Sequence, residues 1–167
     1  MIEIDPTAIV SKLTDIEDSV RGSRVVVMAG ARIDSFVKIK MAGGLADVII
    51  GKNVQINSGT VIYSGNGVTI GAGSMIAANC TLAPVNHAYE RADLTISEQR
   101  FPPGRGGIII EEDVWIGAGT VLLDGAVVRR GCVIGAQSLV RGETQPYGVY
   151  VGNPLRLIKL RGQQSPA

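Results

Sequence analysis

A chain of 167 residues suits one domain with a sizeable core. Its formal net charge of +1, with no basic block, leaves no electrostatic footprint for nucleic acid. No apolar run reaches the roughly 18 residues of a membrane span and no signal peptide is visible, so a cytoplasmic setting without a membrane span is expected.

Hydrophobic residues make up 46% of the chain and aromatics only 4%. That balance fits a narrow core of Ile, Val and Leu. The 22 glycines are close to twice the usual share and suggest many tight corners.

From the start, Ile4, Val10 and Ile16 stand six apart. Ala8 and Thr14 each follow four residues after one of these positions. The beat breaks around Arg21–Arg24 and resumes at Val27, Ile33 and Ile39, with Ala31 and Val37 in the small slots. Residues Met41–Asp47, with Gly43 and Gly44, read as a loop pushed out of a corner. Ile50, Ile56 and Ile62 follow, then a short insertion at Gly65-Asn66-Gly67, then Ile70, Ile76 and Leu82. Asn-Gly is a turn-forming step.

A period of six is neither the helical 3.6 nor plain alternation. It describes short strands joined by corners and wound into a β-solenoid. The first residue of each hexad points into the coil, and the fifth points in near a corner where space is short. At roughly 18 residues per three-sided coil, the first half supplies about four coils.

From Pro84 to Gly107 the hexads vanish, and the prolines and glycines at the end of this stretch rule out a continuous ladder there. So long a loop inside a solenoid is expected to be functional. The beat is most regular from Ile110 to Thr144: Ile110, Ile116, Leu122, Val128, Ile134 and Val140, with Val114, Thr120, Ala126, Cys132, Ser138 and Thr144 in the fifth slots. Pro146 breaks the ladder, and Gly148–Pro154 is expected to lead off the solenoid. Leu155–Arg161 reads as a last short helix or strand, and Gln163–Ala167 as a frayed tail. The domain reading is a β-helix over residues 1–154 with an inserted loop at 84–107, then a basic segment over 155–167.

Few groups carry chemistry. Cys80 and Cys132 both occupy fifth slots and read as packed free thiols. His87 is the single histidine and stands where the hexads give way to the loop. Imidazole suits general-base work near neutral pH. One histidine per chain cannot build a three-imidazole metal site within a protomer, so no metal is expected. Around it, Asn86, Tyr89, Glu90, Arg91, Asp93, Glu98 and Arg100 are candidate partners, most of them ordinary surface charges.

Taken together, the hexads, Asn57 in Ile-Asn-Ser-Gly-Thr, His87, Asp113-Val-Trp-Ile-Gly-Ala-Gly, Val133-Ile-Gly-Ala-Gln-Ser and Val151-Gly-Asn-Pro resemble the left-handed β-helix (hexapeptide-repeat) acyltransferases. Within that family the chain resembles bacterial polysaccharide and sugar O-acetyltransferases of the maltose and galactoside type. The resemblance implies an all-β, left-handed parallel β-helix and acetyl-CoA as co-substrate. It implies His87 as general base and the Ala118 backbone N–H as oxyanion donor. Asn57 and Asn86 would contact the acceptor. Trp115, Ala118, Ala136, Arg141, Gly142, Arg156 and Lys159 would line the cofactor path. Relatives often carry Thr-Lys where this chain has Arg141-Gly142. The family also implies a homotrimer with sites between subunits, and a sugar acceptor, here in surface polysaccharide biosynthesis. Two other readings stay open: N-acetylation of a nucleotide-linked amino sugar, and a non-catalytic scaffold.

Overall fold

The structure, a computed structural model, describes residues 1–162. The tail at Gln163–Ala167 falls outside the described residues.

The first coil comprises β1 (Ile2–Ile4), β2 (Ile9–Val10) and β3 (Asp15–Ile16). The second is β4 (Val25–Val27), β5 (Arg32–Ile33) and β6 (Lys38–Lys40). The third is β7 (Val48–Ile50), β8 (Gln55–Ile56) and β9 (Val61–Tyr63). The fourth is β10 (Val68–Ile70), β11 (Met75–Ile76) and β12 (Thr81–Ala83). The long loop follows, carrying the short helix α1 (Ile96–Gln99). The fifth coil is β13 (Ile108–Ile110), β14 (Trp115–Ile116) and β15 (Val121–Leu123). The sixth is β16 (Val127–Val128), β17 (Val133–Ile134) and β18 (Leu139–Val140). Last come β19 (Gly148–Val151) and β20 (Arg156–Leu160).

Every third strand stacks in parallel, giving three faces: β1 to β16, β2 to β17, and β3 to β18. The fold is an all-β, left-handed parallel β-helix. The first half supplies four coils, as the repeat predicted.

Register explains the core. Ile33, Ile56, Ile76, Ile116 and Ile134 are direct partners on consecutive strands of the second face. All five are buried, and so are Cys80, Ala126 and Cys132 in the small slots. Each isoleucine removed from water contributes about 1.5–3 kcal/mol. The first coil lacks a neighbour on one side: Ile4 is 44% exposed where its register partner Val27 is 1% exposed.

Two features differ from expectation. The chain does not leave the solenoid at Pro146, because β19 pairs in parallel with β17. β20 then folds back antiparallel on β19, so residues after Pro154 extend the second face. Corners are also less dependent on glycine than the composition suggested. Their left-handed residue is glycine at Gly30, Gly59, Gly73, Gly119 and Gly131 but Phe36, Asn53, Asn79, Asp113 and Gln137 at other corners.

At Gly119 the left-handed backbone favours glycine; a Cβ there would lie 2.3 Å from Gln137 Nε2, the end of an exposed side chain that can turn aside. Gly119→Val is expected to destabilise the fold by about 1–3 kcal/mol through left-handed strain in a β-branched residue. Urea unfolding checks this, and an unshifted midpoint would contradict the corner geometry.

Candidate active site

Loops leave the coil repeatedly at one edge, between the third and first faces. Met41–Asp47, Gly65–Gly67, the 84–107 loop and the Asp124-Gly125 corner all lie there. They pack on one another through glycines: a Cβ at Gly43 would meet the Val85 side chain at 2.5 Å. Close approach of loop to loop is the physical need met by Gly43.

A cleft of about 520 Å³ opens on this edge, with Asn86, His87, Tyr89, Phe101, Arg105 and Arg141 in its walls. His87 and Asn86 are exposed. The imidazole packs on Phe101 with ring centroids 5.0 Å apart, and among the described residues no hydrogen bond reaches its nitrogens. The ring is thus steered by packing on Phe101 in the wall of the cleft.

The loop is braced from within. Ala88 N donates to the Arg100 carbonyl at 3.0 Å, closing the loop's neck behind His87. The Gln99 side chain exchanges two hydrogen bonds with the Arg91 backbone, at 2.8 and 2.9 Å. Arg91 pairs with Asp93, and Glu98 accepts from Thr95 N at 3.0 Å and Thr95 Oγ1 at 2.7 Å. The Asp93 and Glu98 carboxyls are held below their usual values by these side-chain hydrogen bonds. Arg91, Asp93 and Glu98 therefore serve the loop's shape.

The returning end is pinned by a residue the sequence reading missed. Asp124 is 5% exposed. Its Oδ2 accepts from Arg105 N at 2.7 Å and Asn66 Nδ2 at 3.0 Å, and its Oδ1 accepts from Gly107 N at 2.9 Å. A buried carboxylate needs such donors to be tolerated. The sequence signal was an acidic residue in a corner slot filled by Ser64 and Pro84 in earlier coils.

The other expected residues lie elsewhere on the prism. Asn57, Ala118 and Ala136 are all exposed on the edge between the second and third faces. There Gln137 N donates to the Ala118 carbonyl at 2.9 Å, and Gly119 N to the Ala78 carbonyl at 3.0 Å. The Ala118 N–H has no backbone acceptor among the described residues. Trp115 stands on the second face, 49% exposed, in register with Met75 and Val133. It borders a smaller hollow of about 240 Å³. Arg156 and Lys159 are exposed on β20. That strand is tied down by Arg161, which reaches Asp113 at 3.0 Å and the Gly131 carbonyl at 2.8 Å.

One chain therefore unites Asn86, His87 and Arg141 at one edge, with Gly142 next in sequence. It carries Asn57, Ala118 and Ala136 on another edge, with Trp115 on the adjoining face. Neither cysteine takes part: burial pushes the Cys80 thiol up, which keeps it protonated, and Cys132 is buried against Thr144 and Gln145.

Residues 107–142 match the family described as bacterial transferase hexapeptide (six repeats). The chain is 30% identical to the Escherichia coli protein named as the lipopolysaccharide biosynthesis O-acetyl transferase WbbJ, over 78% of its own length and 65% of that protein's. It is 34% identical to the galactoside O-acetyltransferase of Escherichia coli, over 68% of its own length and 54% of that protein's. It thus spans less than two thirds of either relative. A variant of AntD, an N-acyltransferase from Bacillus cereus in complex with dTDP-4-amino-4,6-dideoxyglucose and coenzyme A, superposes with a TM-score of 0.80 at 22% identity. That likeness covers 96% of this chain and 84% of the other, and bears on the fold. Among the described residues no helix is long and apolar enough to cross a membrane, and no cluster of three His, Cys, Asp or Glu side chains stands ready for a metal ion.

Proposed function

We propose that this protein is an acetyl-CoA-dependent O-acetyltransferase acting on a sugar hydroxyl, in the assembly of bacterial surface polysaccharide in the cytoplasm. The observation that carries the reading is the position of His87. The one imidazole of the chain sits in the wall of a cleft at the neck of the inserted loop. Two relatives bearing O-acetyltransferase names support the same class.

The chain's residues fit acetyl-CoA as the acyl donor. The edge between the second and third faces carries Ala78, Ala118 and Ala136 at one corner position in three successive coils, beside Asn79, Gly119 and Gln137, and Gly117 stacks directly on the Gly135-Ala136 backbone. A slender thiol arm can run along such an edge. Trp115 on the adjoining face offers an aromatic wall, and Arg156 and Lys159 offer charge for phosphates.

In this reading His87 accepts the proton of the sugar hydroxyl as its oxygen attacks the thioester carbonyl. The Ala118 N–H donates to the oxygen on which negative charge gathers. The imidazolium returns the proton to the departing thiolate, so the histidine ends as it began. Asn86 and Asn57 orient the acceptor by hydrogen bonds. No protein nucleophile is required.

The base and the oxyanion donor lie on different edges of the prism. A homotrimer would bring the His87 edge of one subunit against the Ala118 edge of the next, making three equal sites.

Calorimetric titration with acetyl-CoA tests the reading, followed by assays of coenzyme A release with hydroxyl sugars and amino sugars. Binding and release with hydroxyl sugars are expected. Release only with amino sugars would assign N-acetylation, and a folded protein that binds no acetyl-CoA would be a scaffold.

A further inference from the structure

The charged groups in the cleft are unevenly satisfied. His87, Glu90, Arg105, Asp124 and Arg141 line it. Both oxygens of Asp124 are taken by N–H donors, as described above, and its carboxylate is buried beneath the loop. Glu90 Oε2 accepts from the Tyr89 backbone at 3.0 Å. Neither Arg105 nor Arg141 has a carboxylate within 4.0 Å among the described residues. Most other arginines on the coil are paired: Arg24 with Asp47, Arg129 with Glu111 and Glu143, Arg130 with Glu112, and Arg161 with Asp113.

Arg105 is also held in place. Its backbone N–H is the donor of the 2.7 Å bond to Asp124, at the point where the loop re-enters the coil. Arg141 follows β18 directly, one coil beyond Leu123 at the same edge. The two guanidiniums thus come from different segments and meet one cavity that also holds the imidazole. Guanidinium offers a planar fork of donors that matches phosphate oxygens.

We propose that Arg105 and Arg141 form an anion-binding half of the acceptor site, and that the acceptor sugar carries a phosphate or diphosphate ester. The proposal rests on the acetyltransferase reading and deepens it. It assigns Arg141 to the acceptor rather than to the cofactor. It also gives Arg105 a role in specificity. A neutral free sugar would leave both guanidiniums without a counter-charge.

The test is calorimetric titration of inorganic pyrophosphate and of uridine diphosphate into wild type, Arg105→Gln and Arg141→Gln, each with and without saturating coenzyme A. Glucuronate and glucose serve as carboxylate and neutral probes. Both side chains are exposed, and the Arg105 backbone bond to Asp124 survives substitution, so melting curves should match wild type. Phosphate binding is expected to persist under saturating coenzyme A and to weaken with salt. Each variant should lose about tenfold or more in affinity, the size of losing charge-assisted hydrogen bonds. Unchanged affinity in both variants, or no pyrophosphate binding by wild type, would overturn the proposal. Displacement by coenzyme A would overturn it in favour of a cofactor-phosphate role, and equal binding of glucuronate would overturn the phosphate assignment. Pyrophosphate binding without any binding of coenzyme A would keep the anion site and sink the acetyltransferase reading instead.

Discussion

His87→Ala is expected to lower turnover by about 10²–10⁴-fold, the usual contribution of a positioned general base. Acetyl-CoA affinity and the melting temperature should stay at wild-type values. His87 is exposed and outside the aliphatic core, so its removal leaves no core cavity. Its aromatic packing partner, Phe101, is itself 48% exposed. Steady-state assays and thermal melts on the same preparations separate chemistry from folding. A variant with undiminished kcat would remove His87 from the mechanism. A variant with lost kcat and a lowered melting temperature would mean that the ring supports the loop.

Asp124→Ala is expected to be the most damaging single change on the loop edge. It deletes the acceptor of three hydrogen bonds and strands the buried Gly107 N–H. Bonds to a charged acceptor are worth about 1.5–3 kcal/mol each, and the three share one carboxylate, so a net loss of about 3–5 kcal/mol is expected. Asp124→Asn keeps the shape but turns one acceptor into a donor facing donors, and should fall between wild type and Ala. Urea unfolding measures the stability, and limited proteolysis within 84–107 reports release of the loop. Wild-type stability together with an uncut loop would show that the clamp is unimportant.

Much of the architecture was legible because a β-solenoid writes its geometry into the chain at a fixed period. Inward residues such as Ile56, Ile76 and Ile116 recur six apart within a coil and meet their own kind one coil away. The corners were less legible. A left-handed residue can be glycine at Gly119 or the aromatic Phe36, because the backbone ladder on either side fixes the turn. Strand β19 escaped the reading because Pro146 marks a corner and pairing with β17 depends on a partner outside the local sequence; β20 lies in the segment read as a short helix or strand, but its antiparallel return onto β19 was not legible. Asp124 escaped it for a similar reason: its donors come from Asn66, Arg105 and Gly107, distant along the chain. The separation of His87 from Ala118 onto different edges follows from which corner each loop occupies, a count of thirds of a turn that no motif records.

The uncovered first coil has a consequence for how the molecule breathes. In a stack whose layers touch only their neighbours, stability is a sum of layer and junction terms, and opening starts at an end. The layer of β1, β2 and β3 has one junction, and its inward Ile4 is already 44% exposed. Backbone amides there should exchange with solvent deuterium well before those of β9, β12 and β15. The layers that carry the long loop would stay closed while the amino-terminal end frays, so the cleft is insulated from the weakest part of the molecule.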